Sequence, residues 1–244
     1  MHCLITLGLF LLPVPQDAGP RFLDFSAALA RRDVVVAIGT FGKVQEGKRE
    51  RMKDGEAQLG EGGMVVNEAG TVFYKVQAGA KVTITKPLHG TKETSLQVGF
   101  PMQWAKLNDG SIKRHLLLTP RVEVREDSPM LLVLEKEKGS YKVLAAMRST
   151  QKEESPQAFA QRAEDVFAIN VFQKTLREAI ATAQELEGSD AKKAVATLRE
   201  GLARKPKLLA ESSEMQLTMH AGPIEKRANA LLRELEARSP TGDK

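Results

Sequence analysis

The segment DVVVAIGTFGKV, residues 33–44, opens a series of β-type patterns in the first half of the chain. In it Val34, Val36 and Ile38 recur with a period of two and would share one face of a β-strand. Shorter runs of the same kind follow as far as Met147, and Asp109-Gly110 between two of them supplies the positive φ of a tight turn. The pattern predicts seven or eight short antiparallel strands, which form a β-domain over residues 33–149.

The first gap in this series, residues 45–70, is polar and rich in glycine. We expect it to contain a short exposed helix or a mobile loop. The glycines at 60, 62 and 63 do not form a phosphate-binding loop, because no Lys-Ser/Thr pair and no helix follow them at the required spacing.

Three segments of this half resemble the OB-like barrels of secreted proteins, the class that includes netrin-type modules and tissue inhibitors of metalloproteinases. They are residues 33–44 as the opening strand, FYKVQAGAKVTIT (73–85) as two kinked strands, and MLLVLEKEKGSYKV (130–143) as the closing hairpin. The resemblance implies an antiparallel OB-like β-barrel. In that class an N-terminal cysteine carries inhibitor activity and disulfides staple the barrel. Residues 33–149 contain no cysteine, so metalloproteinase inhibition is not expected here.

Two segments near the end of the chain repeat one helical pattern: GSDAKKAVATLREGLARKP (188–206) and GPIEKRANALLRELEARSP (222–240). They begin 34 residues apart and share ten of nineteen residues, including the first glycine and the last proline. This period resembles that of the tetratricopeptide repeat, whose helical hairpins stack on one another. The resemblance implies an all-α, tetratricopeptide-like domain over residues 150–240, so the predicted fold class is α+β. It assigns the packing positions of the repeat to Ala194, Leu198, Gly201, Ala228, Leu232 and Leu235.

Residues 156–187 have a helical pattern that starts at Ser155-Pro156, with the serine as N-cap and the proline in the first turn. One helix of this length would extend ~48 Å at 1.5 Å per residue, more than the diameter of a small domain. We therefore expect a break near Ile169-Asn170 or a projecting helix. About three repeats are usually needed for independent stability. The two repeat units, together with this leading helix, are thus expected to dock on the barrel or on a second copy of the chain.

An apolar run of about ten residues lies near the N-terminus. It is too short to span a bilayer of ~30 Å as a helix. It predicts a signal peptide over residues 1–18, cleaved near Ala18, and hence an extracytoplasmic protein that is secreted or periplasmic; a buried N-terminal strand is the alternative. Residues 19–32 are then a linker or a short lead-in helix. Cys3, the only cysteine in the sequence, would leave with the signal peptide.

The net charge of +5 is uneven, because residues 21–150 hold 21 Lys and Arg against 15 Asp and Glu. A basic first half favours an anionic partner, although a mildly basic solvated surface has the same composition. Trp104, the only tryptophan, is a candidate ligand-stacking platform at the mouth of the barrel. The alternative is that it closes the end of the barrel as part of the core. The candidate basic strip on adjacent strands consists of Lys113, Arg114 and Arg121, together with Arg125.

No cluster of residues indicates catalysis. His89, His115 and His220 each lack a second ligand at a metal-binding spacing, and no serine lies in a nucleophile elbow. We expect neither a metal nor another cofactor.

The first functional hypothesis is a non-catalytic binding or scaffold protein of the cell envelope, with an unknown protein partner and self-association as a further option. The alternative is polyanion binding, to a glycan or a nucleic acid, by the basic barrel. Export makes nucleic acid the less expected of these ligands. An enzyme whose site is assembled from scattered polar residues ranks last.

Overall fold

The computed structural model describes residues 23–53, 72–115, 117–119, 122–124, 126–149, 154–207, 209 and 215–238, and within these ranges residues 103, 113–115, 117–119, 122–123 and 215–220 by their backbone alone. The predicted signal peptide, residues 1–18, lies outside these ranges. The strands are β1 Val34–Phe41, β2 Gln45–Arg51, β3 Val72–His89, β4 Ser95–Lys106, β5 Ile112–His115, β6 Leu117–Thr119, β7 Val122–Glu123, β8 Pro129–Glu137 and β9 Ser140–Arg148. The helices are α1 Pro156–Leu186, α2 Ala191–Ala203 and α3 Met215–Arg238. This order confirms the predicted α+β class.

Five strands close into a barrel in the order β1, β3, β4, β9, β8, with β8 returning to β1. Neighbouring strands are antiparallel except β4 and β9, which run parallel where Val98 lies opposite Tyr141. The barrel is therefore mixed, whereas the sequence predicted antiparallel strands throughout. The structure confirms the predicted β-barrel in the first half of the chain.

Strand β1 is buried on both of its faces. Val35 and Ala37 join the core inside the barrel, whereas Val34 and Val36 join a second core outside it. Burial on both faces accounts for the unbroken apolar run at the start of this strand. The outer core consists of Phe25, Leu29, Val34, Val36, Ile38, Leu131, Val133, Met147, Phe159, Ala163 and Val166.

Helix α1 is one continuous helix of 31 residues, about 46 Å long. It begins as predicted at Ser155-Pro156, and the Ser155 Oγ accepts a hydrogen bond from the N–H of Ala158. The first half of the helix covers the outside of the barrel with Phe159 and Val166. The second half, from Ile169 onward, lies in the core of the helical region. One helix therefore belongs to two cores.

The break expected near Ile169-Asn170 does not occur, because Asn170 is fully buried and satisfied by hydrogen bonds. Its side-chain amide donates to the carbonyl oxygens of Leu23 and Val166, and its Oδ1 accepts from the N–H of Phe25 at 2.6 Å. The segment before β1, predicted as a linker or lead-in helix, contains a short 3₁₀ helix, Ala28–Ala30. Asn170 thereby attaches this segment to the middle of α1.

The second repeat does not fold as a separate hairpin, because α3 runs without a break through Gly222 and Pro223. Ala221, Ala228 and Leu235 follow one another at intervals of seven and all lie in the helical core. This apolar stripe crosses the Gly-Pro pair, so tertiary packing overrides the local signal for a helix start. Helices α1 and α2 form a hairpin, and α3 packs against both of them. Of the helices that the structure describes, none is both long enough and apolar enough to cross a membrane.

Candidate functional site

Strands β2 to β5 build a surface of cationic and aromatic residues at one end of the barrel. The second half of β3 pairs with β1, while its first half pairs with β2 and extends beyond β1. The strand register aligns Arg51, Tyr74, Trp104 and Arg114 in one row across β2, β3, β4 and β5. Directly opposed residues of antiparallel strands project from the same face. This surface, the mouth face, consists of Glu46, Arg49, Arg51, Tyr74 and Trp104 with the register positions of Lys106 and Arg114.

A bulge in β2 places Arg49 on the mouth face. From Glu46 to Arg49, three residue steps along β2 match two steps along β3. Because side chains alternate along a strand, the extra residue turns Arg49 to the same side as Glu46. Gly47 lies inside the bulge, and a Cβ there would be 2.6 Å from the carbonyl oxygen of Gln77. Only glycine fits this close approach of the two strands.

Trp104 closes the barrel end beneath Arg49. Its side chain is 3% exposed and belongs to the barrel core. The Arg49 guanidinium lies over the indole, with Cζ 3.6 Å from the ring centroid, and its Nη2 is 3.5 Å from Oε2 of Glu46. The Arg49 side chain is 51% exposed. This arrangement corresponds to the core-closing alternative for Trp104, and a ligand can reach this face of the ring only after Arg49 moves.

Of the predicted basic strip, the structure describes the backbone of Lys113 and Arg114. Lys113 and Arg114 are consecutive in β5, so they occupy positions on opposite faces. Arg114 shares the row of Trp104, whereas Lys113 lies opposite Ala105. Arg121 and Arg125 lie outside the described residues, so the strip as a whole stays a prediction.

Sequence reasoning missed Arg49 and Arg51, the two arginines of the mouth face that lie on β2. The sequence pattern places residues 45–70 between the first two strands, with a short helix or mobile loop in the middle. This is wrong for Gln45–Arg51, which is a strand. All seven residues of that strand are exposed, so it has no apolar alternation that would reveal it. The remaining signal is the charged composition of the segment, which is typical of an edge strand but not specific to one.

The predicted repeat-packing residues lie in the core of the helical region. Ala194, Leu198, Gly201, Ala228 and Leu235 are buried, and Leu232 is half-buried. A Cβ on Gly201 would lie 3.0 Å from the Cβ of Ala179, so α1 and α2 are in close contact. The apolar face that was expected to need the barrel or a second chain is covered by the second half of α1.

An ion pair holds the junction between the barrel and α1. Nε and Nη2 of Arg162 each lie 2.8 Å from one carboxylate oxygen of Glu154, whose side chain is 7% exposed. The hydrogen bonds from Arg162 hold the pKa of Glu154 below its ordinary value of 4.5, although burial acts in the opposite direction. Arg162 also donates to the carbonyl oxygen of Arg148 in β9. The pair thus joins the last barrel strand to the start of the helix.

Other polar clusters offer less chemistry than the mouth face. Within the described ranges, no three His, Cys, Asp or Glu side chains are placed so that they could hold a metal ion. The His89 ring lies against Phe167 of α1, with 6.5 Å between the centroids. An open depression beside the β8–β9 turn is lined by Asp33, Lys136, Glu137 and Lys138, and it carries charges of both signs. The mouth face alone among these combines several cations with aromatic rings.

No protein-family model, curated protein or solved structure matches this chain. The resemblances to netrin-type modules and to tetratricopeptide repeats therefore gain no support from known proteins. The candidate site rests on the geometry of the chain itself.

Proposed function

We propose that this chain is a non-catalytic, extracytoplasmic protein that binds a linear anionic glycan through the mouth face. The observation that carries the proposal is the grouping of four cationic positions around Tyr74 and Trp104, with Glu46 as the acidic residue among them. Such a surface suits sulfate and carboxylate groups, which arginine binds with two parallel hydrogen bonds.

The distribution of charge along the chain supports the mouth face as the binding surface. Segments 45–53, 72–79 and 99–115, which build the mouth face and its surroundings, hold eight Lys and Arg against three Asp and Glu. Arg49 and Arg51 are two residues apart on one strand, which separates their Cα atoms by about 6.7 Å. Successive anionic groups of one polymer chain can each take one of these guanidinium groups. The summed positive potential also attracts a polyanion from a distance.

The cationic character of the exposed surface and the predicted export of the chain favour a glycan over a nucleic acid. Proteins that bind single-stranded nucleic acid offer open aromatic rings on which successive bases stack. In the free protein Trp104 is buried and Arg49 lies over its ring, so the exposed chemistry of the site is mainly cationic. The apolar N-terminal run, interpreted as an export signal, favours the same choice of ligand.

A scaffold role for the helices has less support than glycan binding. That hypothesis was motivated by an apolar helical face in need of a partner. Ala194 and Ala228 are fully buried, and α1 provides the cover within the same chain. The helical surface therefore gives no reason of its own to require an envelope protein or a second copy.

Heparin binding by the full chain, measured by calorimetry across a series of salt concentrations, tests the proposal. We expect the affinity to fall steeply with salt, as it does when cationic groups displace counterions from a polyanion. The double variant R49Q/R51Q should bind about 30-fold more weakly, because two exposed charge contacts of about 1 kcal/mol each are lost.

The matched control is K192Q/K193Q, which removes two exposed neighbouring charges from α2 instead. It should change the affinity less than about twofold, since 0.4 kcal/mol or less is at stake for charges remote from the site. Equal losses in the two double variants, or an affinity independent of salt, would overturn the proposal. Binding of a single-stranded oligonucleotide in preference to heparin would replace the glycan with nucleic acid.

A further inference from the structure

We infer that Arg49 determines the specificity of the mouth face: it leaves Trp104 when the ligand binds, and a sugar ring of the glycan takes its place on the indole. The inference rests on the proposed glycan binding. In the free protein Trp104 is buried and cannot stack on a ligand. In the complex it stacks on the sugar, and Arg49 controls access to its ring.

The contact between Arg49 and Trp104 has the geometry of a stacked pair. With Cζ 3.6 Å from the ring centroid, the guanidinium occupies the layer next to the indole in which another flat group would lie. A pyranose ring presents a similar flat apolar face of C–H groups. The space that Arg49 fills therefore has the depth that a stacked sugar requires.

Arg49 is held by contacts that a ligand can replace. More than half of its side chain is exposed, and its partner Glu46 lies 3.5 Å away. An ion pair this exposed is weak because water screens it. A sulfate group offers the same guanidinium two parallel, charge-assisted hydrogen bonds, which are stronger than a single long contact to a carboxylate. An anionic group can thus draw Arg49 from the ring without leaving it unpaired.

The β2 bulge shows that Arg49 is held at this place by a specific feature of the backbone. Without the extra residue in the bulge, the alternation of side chains would direct Arg49 to the opposite face of the sheet. The bulge depends on Gly47, which has no room for a Cβ beside Gln77. The ordinary reason for a bulge is to redirect a side chain, and here the redirected side chain is the one that covers Trp104.

A ligand must therefore supply two features: an anionic group that displaces Arg49 and a ring that covers the indole. A polyanion without rings can draw Arg49 away but leaves the indole uncovered, whereas a neutral sugar can cover the indole but cannot displace Arg49. A sulfated or carboxylated glycan supplies both the anion and the ring. The site then discriminates against inorganic polyphosphate and against neutral dextran.

Because Trp104 is the only tryptophan, its fluorescence reports on this site alone. The experiment is acrylamide quenching of the full-length protein, free and saturated with a heparin oligosaccharide of defined length, for the wild type and R49A. In free R49A the quenching constant should be about twofold higher than in the wild type, because the ring has lost its cover. Saturating heparin should restore the wild-type value, since a sugar ring now covers the indole. Saturating polyphosphate should leave the constant high.

Two further variants separate displacement from simple charge loss. E46Q removes the ion-pair partner of Arg49 and should bind heparin about two- to threefold more tightly than the wild type. K192A on α2 should change neither the affinity nor the quenching. If heparin binds but leaves the quenching constant of R49A high, or if E46Q binds no better than the wild type, the role of Arg49 is refuted while glycan binding stands. If heparin does not bind at all, both proposals fail.

Discussion

Replacing Gly201 with alanine tests how closely α1 and α2 approach each other. In an isolated helix the change would be stabilising by about 1 kcal/mol, because glycine is the poorer helix former. In this protein the new Cβ would lie 3.0 Å from the Cβ of Ala179 and 3.4 Å from Cδ2 of Leu176. The Cβ of Ala179 is fixed to the backbone and cannot rotate away, so the two helices must separate. Overpacking of this kind costs about 1–3 kcal/mol. We expect G201A to lower the free energy of unfolding by about 1 kcal/mol.

The partner variant A179G removes the opposing methyl group and reverses the sign of the effect. In that background, G201A should raise the free energy of unfolding by about 1 kcal/mol, because only the gain in helix propensity remains. The coupling between the two positions is then about 2 kcal/mol, which is typical of residues in direct contact.

Gly222 in α3 provides the matched control. A Cβ there would meet no atom within 4 Å, so G222A should stabilise the protein by about 1 kcal/mol. All variants are compared by urea unfolding followed by circular dichroism, with the midpoint and slope fitted together. The close contact would be refuted if G201A stabilised the protein as much as G222A does and if the effects of G201A and A179G were additive. A neutral or destabilising G222A would show that the helix is interrupted at Gly222, where the repeat pattern predicted a helix start.

Three further substitutions test the junctions and the bulge. E154Q should lower the free energy of unfolding by about 1–2 kcal/mol at neutral pH. Because Arg162 lowers the pKa of Glu154 in the folded state, the difference from the wild type should be full above about pH 4.5 and vanish as the pH falls through the lowered value; urea unfolding over a pH series checks this, and a constant difference would contradict it. N170A should destabilise the protein by about 2 kcal/mol, because it removes the hydrogen-bond partner of the buried N–H of Phe25 and of the partly buried carbonyl oxygen of Leu23, both in the N-terminal segment. Faster amide exchange in that segment is the diagnostic measurement, and unchanged exchange would count against the attachment. G47A should detach part of β2 and raise the acrylamide quenching of Trp104, because the added Cβ would lie 2.6 Å from a backbone oxygen; quenching equal to that of the wild type would mean that the bulge does not hold Arg49.

The division into a β-rich and a helical half could be predicted because both halves have the periodicity of their element. The apolar run at the start of β1 and the cap at Ser155-Pro156 are local signals, and the structure contains both elements. The partners of each strand could not be predicted in the same way. The parallel contact between β4 and β9 joins residues about 40 positions apart, and no local pattern specifies it.

The candidate site was predicted only in part, because its cationic members lie on a strand without an apolar face. Trp104 was recognised from its residue type, but Arg49 and Arg51 belong to a fully exposed strand that no hydrophobic periodicity marks. In the helices, the reverse problem arose at Gly222-Pro223, where strong local signals for a helix start were overridden by packing on both sides. Local sequence signals therefore missed the exposed strand β2, which has no apolar face, and misplaced a helix start in α3, where tertiary packing determines the structure.

The boundary predicted near residue 150 falls between β9 and α1, yet it is a poor place to divide the protein. Expressing the barrel alone, up to residue 150, would remove Phe159 and Val166 from the outer surface of β1. The exposed apolar surface would then be prone to aggregate. Expressing α2 and α3 alone would leave their buried alanines without a neighbour. Because α1 contributes to both cores, the barrel and the helical half should lose their structure together, as one cooperative unit.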